Sequence, residues 1–167
     1  RFYDESWRSY EKKDKVVVGP KSQERLFSFL KAFLPYEVVR LENMDPSLVI
    51  RHMKEAKVFV ALGNYPGRDR MPREAALLGC VVISNRRGSA AVTRDMPVPS
   101  KYKIPDELLN YPKIVIQIKR CVENYQQAAG DFCDYVRILK EEHVNFPSNV
   151  SKVFREILNP EAAVHGL

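Results

Sequence analysis

Apolar and polar positions along this chain fall into blocks of two kinds. Short β-branched runs with little polar interruption, VVVG at 16–19, YEVVRL at 36–41, VFVAL at 58–62 and CVVIS at 80–84, have the length and content of buried strands. Between them, apolar residues recur every three or four positions, which is the helical period. Leu26, Phe29, Leu30 and Phe33 form one such face, with Ser22 as the expected cap and Pro35 as the stop. Asp45 followed by Pro46 marks the start of a second helix, with Leu48, Val49, His52, Met53 and Ala56 as its stripe. A third helix, capped by Asp69, tolerates Pro72 in its first turn and ends at Gly79. Strand, helix, strand, helix, strand, helix, strand predicts a Rossmann-like parallel sheet with flanking helices.

Beyond Ser84 the pattern loosens, and the prolines at 97, 99 and 105 predict an extended, irregular connection. Helical character returns from Pro112: KIVIQIKRCVENYQQAA stops near Gly130, DFCDYVRILKEEHV follows, and SNVSKVFREIL is expected to begin after Pro147 with Ser148 as its cap. Tyr3, Trp7 and Tyr10 would share one face of a short N-terminal helix. The chain therefore divides into an N-terminal linker or helix at 1–14, a Rossmann-like core at 15–110, a C-terminal helical segment at 111–158 and a frayed tail at 159–167.

With 167 residues and 45% hydrophobic content, the chain is the size of one domain with one core. Lys and Arg number 27 against 21 Asp and Glu, a net charge of +6 that favours anionic partners. Basic residues in the C-terminal helices alternate with acids, the pattern of a solvated face rather than of a nucleic-acid site. A peripheral contact with an acidic membrane stays open. No apolar run approaches the roughly 20 residues of a bilayer span. The start lacks a signal-peptide core and an initiating Met, as expected of a piece cut from a longer soluble protein. Cys80, Cys121 and Cys133 are odd in number and far apart, so they read as small buried residues in a reducing, cytoplasmic setting.

Ligands of open α/β sheets bind beyond the carboxyl ends of the strands. The loops there are Gly19-Pro20-Lys21-Ser22, Gly63 to Arg70, and Asn85-Arg86-Arg87-Gly88-Ser89. They bring Lys21, Arg68, Arg70, Arg86 and Arg87 toward one edge, beside helix N-termini that favour negative charge, which suits a phosphate or diphosphate. Glu74 either complements the dipole of its helix or accepts hydrogen bonds from sugar hydroxyls. The chain contains no G-x-x-x-x-G-K-S/T and no G-x-G-x-x-G after the first strand, which argues against a P-loop hydrolase and a dehydrogenase.

The stretch YPGRDRMPREAALLGCVVISNRRGSAA resembles the HPGKDRIPREAA..GC.VI...GSA segment of glycosyltransferase-like proteins from bacterial surface-polysaccharide loci. Residues 15 to about 145 are similar in order to the nucleotide-sugar-binding half of GT-B glycosyltransferases. The resemblance implies that Glu74 binds donor hydroxyls, that Lys21 and Arg70 face the diphosphate, and that Gly88 and Ser89 approach it closely. Gly19, Arg68 and Arg87, from the same carboxyl-end loops, complete the expected donor site, and no metal or other cofactor is expected because Lys21, Arg70 and backbone N–H groups can stabilise the diphosphate charge. Many relatives carry a first Glu eight positions before the second; Pro66 stands there in this chain. The expected partner is a nucleotide sugar, with a second Rossmann-like domain to receive the unknown acceptor, at the cytoplasmic side or the inner membrane face. Two other readings stand beside it: a non-catalytic nucleotide- or phosphate-recognition module, and a structural domain whose helical tail mediates assembly.

Overall fold

The computed structural model describes residues 10–64, 67, 70–105 and 110–158. The chain forms two compact units, Arg1–Val136 and Arg137–Leu167. The first holds five parallel strands, β1 (Lys13–Val18), β2 (Glu37–Arg40), β3 (Ala56–Ala61), β4 (Val81–Asn85) and β5 (Lys103–Ile104), in the order β2-β1-β3-β4-β5. Consecutive strand residues face opposite sides of a sheet. Val16, Val17 and Val18 of β1, Val58, Phe59 and Val60 of β3, and Val81, Val82 and Ile83 of β4 are all fully buried. Both faces are therefore covered, as uninterrupted apolar strands require. The cover comes from α1 (Glu24–Phe33), α2 (Pro46–Glu55), α3 (Arg70–Leu77), α4 (Tyr111–Glu123) and α5 (Tyr125–Gly130). This is the Rossmann-like α/β arrangement expected from the alternation.

Several local signals act as their chemistry demands. Asp45 caps α2, its carboxylate accepting from the Ser47 N–H at 2.8 Å, with Pro46 as the first helical residue. Gly79, at φ 80°, ends α3: its N–H donates to the Ala76 carbonyl and that of Cys80 to the Ala75 carbonyl. Other expectations need correction. Ser22 does not cap α1; Gln23 occupies that position without a side-chain bond, and the Ser22 hydroxyl is buried with no hydrogen-bond partner. The connection after Ser84 is more ordered than its prolines suggest, with 3-10 turns at Gly88–Ala91 and Ser100–Tyr102 and then β5 alongside β4.

The final helix, α6 (Cys133–Leu158), runs through Pro147. Proline lacks one N–H but keeps helical φ, and the Ser148 hydroxyl donates to the Asn145 carbonyl at 2.9 Å instead of starting a new helix. Residues 137–158 of α6 make up the described part of the second unit. Cys80 and Cys121 are buried as expected, whereas Cys133 is exposed. Tyr3, Trp7, Arg68, Asp69 and the tail at 159–167 lie outside the described residues. Among those that are described, no helix is long and apolar enough to cross a membrane.

Candidate functional site

From β1 the chain steps outward to β2 and then crosses back to β3 on the other side, so the order of the sheet reverses between β1 and β3. The carboxyl ends of two strands diverge at such a point and leave a crevice between their loops. In this protein the surrounding loops are knitted together across the whole rim. Arg40, the last residue of β2, donates to the carbonyls of Pro20 and Ser22 at 3.3 and 3.2 Å and so fixes the β1–α1 loop. Gly63, beyond β3, lies so close to that loop that a Cβ would stand 2.5 Å from the Lys21 carbonyl oxygen. Only glycine lets the two backbones meet there.

Asn85 joins the next pair. Fully buried at the end of β4, it donates from Nδ2 to the Gly63 carbonyl at 2.7 Å and accepts the Arg87 N–H on Oδ1 at 3.2 Å. The Ser89 hydroxyl, in the turn that follows, donates to the Gly67 carbonyl at 2.7 Å. Lys103 on β5 closes the row by donating to the carbonyls of Ala90 and Met96, both at 2.8 Å. The loops after β1, β3 and β4 thus share one rim, held by backbone-to-side-chain bonds rather than by chance proximity.

The residues singled out from the sequence occupy different parts of this rim. Gly19 is buried at the end of β1, its N–H on the Val60 carbonyl at 2.9 Å. Lys21 and Arg87 are exposed, and Gly88 turns the chain with φ 54°. Arg70, the first residue of α3, extends into solvent and pairs through Nε with Glu74 Oε1 at 2.9 Å. The Glu74 side chain is largely buried, and it lines a cavity of about 430 Å³ with Leu41, Met44, Val49, Ile50 and Met71. A mostly apolar cavity with one carboxylate and a neighbouring guanidinium suits a ligand having a flat or aliphatic part, hydroxyls and an anionic group. The Ser89 hydroxyl is committed to Gly67, which leaves its backbone as the part that can approach an anion.

Reading the sequence did not single out Arg40, Asn85 or Lys103. Their partners are carbonyls distant in sequence, so no local spacing announces them. A larger cavity of about 770 Å³ lies at the opposite, amino-terminal rim, where Tyr10, Lys12, Lys57 and Tyr125 contribute to its wall. Volume alone favours that one, but the smaller lies between the β2–α2 connection and the starts of α2 and α3, at the carboxyl rim where ligands of such sheets bind. No cluster of three or more His, Cys, Asp or Glu side chains suited to a metal occurs among the described residues.

The architecture defines the class: a Rossmann-like α/β domain with a loop-lined crevice at its carboxyl rim. No protein-family model, curated protein or solved structure matches the chain.

Proposed function

We propose that the crevice binds the donor of a glycosyltransferase reaction, a sugar carried on a nucleoside diphosphate. The observation that carries this reading is that Lys21, Gly63, Gly67 and the Asn85–Ser89 segment meet along one rim, the rim that also carries the cavity holding Glu74. Lys21, Arg70 and Arg87 supply positive charge, Gly19 and Gly88 allow close backbone approach, and Glu74 accepts hydroxyls of the ribose or the transferred sugar. As the bond between sugar and diphosphate breaks, negative charge grows on the leaving oxygen. Lysine and arginine held nearby stabilise that charge without a metal ion. The acceptor is held by a second domain of the same class, and the transfer serves polysaccharide or glycan synthesis at the cytoplasmic side of the membrane.

Thermal denaturation with uridine and guanosine diphosphates and their sugar conjugates tests this. At 100 times its dissociation constant a ligand adds about 2.7 kcal/mol, a rise of several degrees for a domain of this size. Absence of any rise across the series would remove the reading. Glu74→Ala should weaken sugar-nucleotide binding by roughly tenfold while changing pyrophosphate binding little, as expected for loss of a charged hydrogen bond of about 1.5–3 kcal/mol.

The Arg70–Glu74 ion pair favours a second reading, in which the crevice recognises a nucleotide or phosphate without transferring sugar. One carboxylate oxygen is already engaged, so Glu74 then only orients Arg70 toward the anion. Equal losses for pyrophosphate and sugar nucleotide in Glu74→Ala would select this alternative.

A further inference from the structure

An enclosed lysine needs its charge neutralised or its three donors satisfied, since an unpaired buried ammonium is costly. Lys15, 3% exposed, meets the first requirement with Glu37 at 3.1 Å and Glu55 at 3.0 Å. Lys12 meets the second by placing its ammonium on the carbonyls of Met53, Ala56 and Leu78. Lys103, 8% exposed, meets neither: it reaches only the carbonyls of Ala90 and Met96, and no carboxylate among the described residues lies within ion-pair distance. Its β4 neighbour in register is Ser84, whose fully buried hydroxyl also has no hydrogen-bond partner. Burial, and then the nearby charge of Arg86, hold the Lys103 pKa below the ordinary lysine value. Among the described residues Lys103 therefore has no countercharge, and its bond to the Ala90 carbonyl ties it to the turn that carries Gly88 and Ser89.

We propose that Lys103 is a positioning residue that makes this crevice favour a diphosphate over a monophosphate. It fixes the Gly88–Ala91 turn through the Ala90 carbonyl, and no carboxylate among the described residues neutralises its own positive charge. A ligand of higher negative charge at the turn supplies the missing countercharge, and the low dielectric of the buried position makes that attraction stronger than it is at an exposed lysine. Exposed Arg86 and Arg87, screened by solvent and salt, discriminate less. The inference rests on the donor-binding reading and adds the group that sets its preference for charge.

Calorimetric titration of the whole chain with nucleoside diphosphate and monophosphate is the test, using the uridine or guanosine pair according to which stabilises the wild type more. Lys103→Met should weaken diphosphate binding by roughly tenfold or more and monophosphate binding by clearly less, whereas Lys103→Arg should keep the wild-type ratio. A purely structural lysine would lower both affinities alike, and that result, or no change in either, overturns the proposal. Should Lys103→Met not fold, lysine side-chain NMR of the wild type replaces it: the Lys103 pKa must rise when pyrophosphate binds, and an unchanged value refutes the assignment. If the wild type binds neither nucleotides nor pyrophosphate, the donor reading fails and this inference with it. If it binds them but Lys103→Met keeps the ratio, only this inference fails.

Discussion

At the amino-terminal rim of the sheet, Lys12 places its ammonium on the carbonyls of Met53, Ala56 and Leu78, at 3.1, 2.8 and 2.7 Å. At the carboxyl-terminal rim, Lys103 reaches only two carbonyls, in the loop that follows β4. The carbonyls around Lys12 belong to the ends of α2 and α3, where backbone acceptors lack intrahelical partners and the helix dipoles are negative. A cation there completes the fold and has nothing left to offer a ligand. At the opposite rim the strands and the start of α3 present N–H groups and cations together. In a parallel sheet, strand direction thus separates a rim that consumes positive charge from one that displays it.

The largest effect expected is that of Gly63→Ala. The added Cβ meets the Lys21 carbonyl at 2.5 Å, so backbone has to move; we expect a loss of about 3 kcal/mol in urea denaturation and loss of nucleotide binding. Unchanged stability and binding would show that the β1 and β3 loops need not touch. Lys12→Met should cost about 2 kcal/mol, chiefly by leaving the Leu78 carbonyl without its partner, since the Cys80 thiol also reaches the Met53 and Ala56 carbonyls, with nucleotide affinity per folded molecule unaltered. A change in affinity would break the separation of the two rims.

A smaller effect concerns Glu55, whose carboxyl is held down at about 2, chiefly by its hydrogen bond to Lys15 and by the Lys15 and Lys13 charges. A group with a depressed folded pKa stabilises the protein above its unfolded value of about 4.5, and that contribution is lost as pH falls through about 2. Acid titration of stability should therefore show a decline between about pH 5 and 2 that Glu55→Gln flattens, at a cost near neutrality of about 1–2 kcal/mol. An identical acid limb in the variant would mean that other carboxylates govern it.

Much of the fold is legible in the letters because its determinants are local. Uninterrupted apolar runs mark the three central strands, and Asp45-Pro46 and Gly79 mark helix boundaries, since each signal acts within a few residues. What escapes is set by distant partners. β5 is two residues long and exists only because β4 offers it an edge, and the flanking prolines point away from it. α6 continues through Pro147 because one missing N–H does not outweigh the helical preference on both sides. For the site, strand order with the rule of carboxyl ends points to the loops after β1, β3 and β4, but not to the β2–α2 connection, whose Leu41 and Met44 line the cavity with Glu74. The bonds that join those loops run from Arg40, Asn85, Ser89 and Lys103 to carbonyls far along the chain, and no spacing in the sequence encodes them.

An amide NMR titration of the chain with uridine and guanosine diphosphates separates the two rims. Perturbations are expected at Lys21, Gly63, Arg87 and Gly88, on the carboxyl rim, with the amides around Tyr10, Lys57 and Tyr125 unmoved. Perturbations confined to those last three, or no perturbation with either nucleotide, would refute binding at the carboxyl rim.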